Sequence, residues 1–208
     1  MNVLNNTKPA NQEKVKIYIA SKNNHKIEEI KLVVPEFVEL ETVNWEIDVE
    51  ETGETFIENS IIKALEYGKE IGQPVIADDS GLSIDVLGGF PGVMSARYLE
   101  GASYVEKMES ILQLMRNYEE RNAKFVCAAT YFNPIKNFLI SVEGYVEGTI
   151  SREIRGDKGF GYDPIFIPKG YDKTFGELGE EVKKHISHRS VAFKKLFEFL
   201  MKVGEIVI

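Results

Sequence analysis

The stretch PVIADDSG, residues 74–81, restricts the fold of this chain more than any other: an apolar strand segment runs into two adjacent carboxylates, Asp78 and Asp79, followed at once by Ser80 and Gly81. Two like charges side by side repel, and a carboxylate taken from water needs hydrogen-bond donors or a cation. The chain must therefore fold so that distant residues bring positive charge to this strand. Successive side chains on a strand point to opposite faces, so both aspartates can reach one site only if the strand has already ended. The spacing predicts a strand PVIADD that passes into a glycine-rich turn region with Gly88, Gly89, Pro91 and Gly92. One aspartate is then the active carboxylate and the other a structural acceptor. The plainer alternative is a strand-to-turn cap, where Asp and Ser are favoured.

Other elements follow from periodicity. VKIYIA (15–20) reads as a buried strand, and SKNNHK breaks it before a helix carrying Ile27, Ile30 and Val34, which ends by Pro35. A polar loop before a helix start presents free N–H groups at the positive end of the helix, a ready anion site. Thr55 and Glu58 form a capping-box pattern ahead of a second amphipathic helix, on which Asn59 and Lys63 share a face. Ser103 and Glu106 repeat the pattern for a third. FVCAATYF and FLISVEGYVEGTI, separated by Asn133-Pro134, predict a hairpin, and a last helix starts near Ser187. The order fits an α/β fold with a sheet of mixed direction. Residues 1–14 are polar and Asn-rich, without periodicity, and are expected to form a flexible extension to a single domain over 15–208.

Composition narrows the function. A net charge of −8 argues against a general nucleic-acid binder, whose surface must answer phosphate. No apolar run approaches the roughly 18 to 20 residues of a membrane span and no signal-peptide core is evident, so a cytoplasmic address without membrane partners is expected. The single cysteine, Cys127, excludes an intrachain disulfide, and three scattered histidines make a zinc cluster a poor expectation. Any metal should be oxygen-ligated, magnesium first.

Candidate functional residues are weighed against ordinary roles. Glu50-Glu51 is either solvated charge ahead of a helix or a source of a magnesium ligand paired with an aspartate from 78–79. Lys26 and Lys63, ordinary surface lysines by default, can join Asn23 in holding a polyphosphate. GFGYDP (159–164) is either a packed turn or a loop whose aromatic stacks on a flat ring. KKHISHRS (183–190) gathers Lys183, Lys184, His188 and Arg189 ahead of the last helix, where positive charge is misplaced unless a ligand compensates it.

These stretches, in this order, resemble the inosine triphosphate pyrophosphatase family. The resemblance rests on SKNNHK, EETGETFIENSIIKA, ADDSGLSIDVLGGFPGVMSARY, KGFGYDP and ISHRS, and spans nearly everything after residue 14; Lys158 stands where the family commonly has glycine. It implies an elongated two-lobed α/β fold, a mixed central sheet flanked by helices with the active cleft between the lobes, and a homodimer. It implies Mg²⁺-assisted hydrolysis of ITP, dITP and XTP to monophosphate and pyrophosphate. Asp79 is then the general base and a metal ligand, with Glu50 its partner at the metal. Ser21, Asn23, Lys26, Lys63 and Ser80 hold substrate, Phe160, Gly161, Tyr162 and Asp163 form the base-binding loop, and Lys183, His188 and Arg189 close over the purine. A catalytically silent nucleotide-binding module is the competing class, though Glu50, Asp78 and Asp79 are all present. A phosphatase with a covalent aspartyl intermediate requires two carboxylates aimed at one site, which adjacent strand residues suit poorly.

Overall fold

The apolar segments pair into one six-stranded sheet in the order β2-β1-β3-β4-β5-β6. Here β1 is Val15–Ile19, β2 Val38–Thr42, β3 Val75–Ile84, β4 Asn122–Asn133, β5 Phe138–Ile150 and β6 Phe166–Pro168. The structure, a computed structural model, describes residues 14–43, 45 and 47–207; apart from Lys14, the expected extension lies outside the described residues. β1 runs parallel to β2 and β3, and the remaining pairs are antiparallel, so the sheet is mixed and open as expected. Parallel neighbours need a crossover, which helices α1 (Asn24–Lys31) and α2 (Phe56–Ile71) supply. The β4–β5 pair is the expected hairpin, turning after Asn133.

Local chemistry sets the helix ends. Thr55 and Glu58 exchange hydrogen bonds at the start of α2, as do Ser103 and Glu106 at the start of α3 (Tyr104–Leu114), and Ser187 caps α6 (His188–Lys202). Such a cap stabilises a helix by about 1 kcal/mol.

The long strands β3, β4 and β5 are shared by two lobes. At one end Ile17, Ile76 and Tyr131 face Phe193, Leu196 and Leu200 of α6, while Val75, Ala77 and Phe132 face Ala64 and Tyr67 of α2 on the opposite side of the sheet. At the other end Leu82, Ile84, Phe125 and Phe166 pack with Met108 and Ile111 of α3. Full burial of each such side chain stabilises the fold by about 1.5–3 kcal/mol.

Three features differ from the sequence expectation. β3 does not stop at Asp79: it continues through Ser80 and Gly81 to Ile84, because β4 pairs with it along its whole length, with Asp78 opposite Ala129 and Asp79 opposite Ala128. The aspartates therefore lie in the middle of a strand and are neither a cap nor a turn. Gly81 serves close approach here, since a Cβ would stand 2.3 Å from Ser95 Oγ and 2.5 Å from the Gly92 carbonyl. Second, VELET forms the strand β2 although its acidic residues mask any apolar alternation. Third, two short helices precede α6: α4 (Phe175–Leu178) and α5 (Glu180–Ile186). Lys183, Lys184 and His185 occupy the last turn of α5, where cations are favoured, so this charge is not misplaced at a helix start.

Candidate active site

Mid-strand placement sends the two aspartates to opposite faces. Asp78, on the α6 side, is 1% exposed and meets Lys26 Nζ at 3.0 Å and Arg189 Nε at 3.3 Å. Burial alone would raise its pKa, but Lys26, Arg189 and Lys63 overcome it and hold the carboxyl well below the ordinary aspartate range. Asp79, on the α2 side, accepts a hydrogen bond from Asn59 Nδ2 at 3.1 Å, and among the described residues no basic side chain is ion-paired with it. Burial pushes its pKa up, and Glu51 adds to the rise against Lys63 and Lys26. Asp78 is thus an anchored counter-ion, and Asp79 a carboxylate able to take a proton.

Asp79 lines a cavity whose walls come from both lobes, together with Asn23, Lys26, Lys63 and Ser80. Asn23 caps α1, accepting from the His25 and Lys26 amides at 3.0 and 3.3 Å. Ser21 does not line the cavity; its Oγ accepts the Asn23 amide at 3.2 Å and shapes the loop. Asn59 and Lys63 share one face of α2 as expected, and Lys63 Nζ reaches the Asp78 carbonyl at 2.9 Å. Burial alone would lower the Lys63 pKa, but Asp78 and Glu51 raise it above the usual lysine range, so it stays charged.

The two members of the acidic pair lie differently. Glu50 is exposed and is not among the cavity-lining residues, whereas Glu51 lines the cavity, its carboxylate bridging Lys63 and Arg97, the latter at 3.2 Å. Arg97 is a further cation at the cavity that sequence reasoning missed, although it stands in the quoted stretch VMSARY.

At the other end of the cavity the expected loop residues come together. Asp163 accepts from the Phe160 amide at 2.8 Å and from Lys183 Nζ at 2.6 Å, and Tyr162 Oη donates to the Ser95 carbonyl at 2.9 Å. Phe160, Gly161, Lys183, His188 and Arg189 complete the wall. Lys183 Nζ lies 4.2 Å from the Phe160 ring centroid, within cation–π range. Glu29 of α1, which sequence reasoning did not single out, accepts from both Lys183, at 2.7 Å, and Arg189. Arg189 also donates to Ser80 Oγ at 2.7 Å. His188 stacks on Phe125 with centroids 4.9 Å apart. Burial, then Arg189 and Lys183, lower the His188 pKa strongly, so its imidazole is neutral, and its Nδ1 is buried without a hydrogen-bond partner among the described residues. A buried polar atom left unpaired at a cavity wall is costly unless a ligand or water meets it.

The donor set also decides which metal would fit. Among the described residues no three metal-ligating side chains converge, so an all-protein cage is absent. Glu51 and Asp79 are two of the carboxylates that line one cavity, and the charge of Glu51 raises the proton affinity of Asp79. An oxygen-only pair that leaves most of the shell to water and substrate phosphate fits magnesium and not zinc.

An open mixed sheet whose interlobe cavity is lined by several lysines and arginines and by an aromatic loop defines an α/β protein built to hold an anionic ligand with a flat ring. The chain belongs to the Ham1 family, whose sequence profile matches residues 17–199. It is 45% identical over 190 residues to a dITP/XTP pyrophosphatase of Bacillus subtilis, covering 88% of this chain and 95% of the relative. A dITP/XTP pyrophosphatase of Dictyoglomus thermophilum is 42% identical over 191 residues, covering 88% and 93%. Among solved structures, the Ham1 protein of Staphylococcus aureus superposes with a TM-score of 0.83 at 40% identity, covering 92% of this chain and 100% of that one.

Proposed function

We propose that the protein hydrolyses noncanonical purine nucleoside triphosphates, ITP, dITP and XTP, to the monophosphate and pyrophosphate, with water attacking the α-phosphorus. The observation that carries the proposal is Asp79: a buried carboxylate with a raised pKa that lines one cavity together with Lys26, Lys63, Arg97 and the ring of Phe160. The family relationship and the names of the relatives above support the same substrate class.

The chain's own residues supply most of the chemistry. Asn23, Lys26, Lys63 and Arg97 bind the triphosphate and spread its charge, which would otherwise repel an incoming nucleophile. Glu51 and Asp79 are the residues that would hold Mg²⁺, which when bound polarises phosphoryl oxygens and orients water. Asp79 accepts the proton of the attacking water as the water oxygen bonds to the α-phosphorus, and the bond from that phosphorus to the bridging oxygen breaks to release pyrophosphate. Asp78 faces the other side of the sheet and is neutralised by Lys26 and Arg189, which disfavours a covalent mechanism needing two carboxylates at one phosphorus.

Base selection follows from donors and acceptors. Hypoxanthine and xanthine present a 6-keto acceptor where adenine presents an amino donor. Arg189 is a donor only, and a neutral His188 can offer an N–H or an acceptor according to tautomer. An adenine amino group facing Arg189 and the N–H of His188 would leave buried donors unpaired, while Phe160 gives a face for the ring. We further infer a homodimer in the cytoplasm and a single two-lobed domain over 15–208, which sedimentation of the purified protein checks for assembly.

The decisive experiment is pyrophosphate release from ITP, XTP, GTP and ATP, each with and without Mg²⁺, run in ¹⁸O-water. Mg²⁺-dependent release from ITP and XTP with the label in the monophosphate supports the proposal. Orthophosphate and a diphosphate as products would move attack to the terminal phosphorus, and tight binding without turnover would favour a sensing module.

A further inference from the structure

We propose that His25 is a positioning residue that braces the Phe160 ring from the first turn of α1 and so couples the triphosphate end of the site to the base end. The inference rests on the reading that Phe160 stacks on the purine. The His25 and Phe160 rings lie 5.2 Å apart with their planes 13° from parallel, an offset-stacked arrangement. Phe160 lines both the nucleotide cavity and a second cavity behind it, whereas His25 lines only the second. His25 therefore meets the ring from outside the nucleotide cavity.

The loop makes such a brace necessary. Phe160 stands between Gly159 at φ +74° and Gly161 at φ +67°, both in the left-handed region that glycine occupies freely. The Asp163 bond at 2.8 Å fixes the Phe160 amide, not its ring. Lys183 touches the ring but is committed to the carboxylates of Asp163 and Glu29 at 2.6 and 2.7 Å.

His25, by contrast, is fixed by the α1 cap, since its own amide donates to Asn23 Oδ1 at 3.0 Å. Asn23, His25 and Lys26 thus sit in one turn, with Asn23 and Lys26 on the cavity wall and His25 on the ring. A phosphate that settles this turn settles the brace with it.

The test compares full-length wild type with His25→Ala, His25→Tyr and Phe160→Ala. It uses ITP kinetics and, without nucleotide, hydrogen exchange of the loop. His25→Ala is expected to raise KM for ITP about three- to tenfold, the range of an aromatic pair, with kcat within about twofold. His25→Tyr should restore KM, the alanine change should add nothing in a Phe160→Ala background, and exchange at 159–161 should quicken in His25→Ala but not in His25→Tyr. An unchanged KM, a tyrosine variant as poor as alanine, or strictly additive effects would overturn the inference. A wild type inactive on ITP would sink the proposed function instead, and the exchange comparison would then decide for or against the brace.

Discussion

Asp78 and Asp79 are consecutive in one unbroken strand and serve opposite faces of the sheet. The first is locked by Lys26 and Arg189, while the second faces Asn59 and the cavity. The repulsion between adjacent carboxylates is thus relieved by separation across the strand and by cations ion-paired with Asp78, while among the described residues none is ion-paired with Asp79. The other side keeps a carboxylate whose proton affinity burial has raised.

Asp79→Asn should lower kcat by about 10²–10⁴-fold, the usual contribution of a positioned base, while nucleotide affinity changes by only a few fold. Calorimetric titration beside pyrophosphate release checks the split; equal loss of both would show that Asp79 is chiefly a binding group. Burial raises the Asp79 pKa in the metal-free protein, so without Mg²⁺ and nucleotide its carboxyl, followed by NMR, should titrate above the ordinary aspartate range; a titration at or below that range would contradict the burial argument.

Glu51→Gln should raise the Mg²⁺ concentration for half-maximal turnover about tenfold or more, and Glu50→Gln should leave it unchanged. Only Glu51 lines the cavity. A titration in which Glu50 proved the sensitive residue would reverse the assignment.

His188→Phe retains the ring that stacks on Phe125 but removes both nitrogens, including the unpartnered Nδ1. If that atom meets the base, KM for ITP should rise by about 10–100-fold and the preference for ITP over ATP should narrow. An unaltered ITP/ATP ratio would remove His188 from base reading.

Asp78→Asn should destabilise the fold by about 3–5 kcal/mol, because Lys26 and Arg189 lose a buried counter-charge. The sign with pH follows from the lowered pKa: Asp78's contribution is full above the ordinary aspartate value of 3.8 and is lost as pH falls toward its lower folded value. Denaturant melts of both proteins should therefore converge in acid; a gap independent of pH would show that packing, not charge, carries the effect.

Much of the architecture was legible in local pattern. The capping boxes at Thr55 and Ser103, the stripe of α6 and the hairpin over β4 and β5 all rest on contacts a few residues apart or on simple alternation. β2 was missed because its glutamates hide the pattern, and the full length of β3 because Asp, Ser and Gly are ordinary turn residues. What extended β3 was its partner β4, roughly fifty residues further on.

The sequence by itself determined the kinds of groups available: oxygen ligands, a few lysines and arginines, a glycine-flanked aromatic, and two aspartates that must diverge if they share a strand. Tertiary structure decided how those groups are used. It turned Asp78 toward α6 and Asp79 toward α2, brought Glu51 in and left Glu50 out, and tied Glu29 to Lys183 and Arg189, some 160 residues away. Strand alternation is a local rule and can be read from neighbours. Which helix covers which face, and so which carboxylate meets a cation in a low-dielectric interior, depends on packing between distant segments and has no signature in either segment alone.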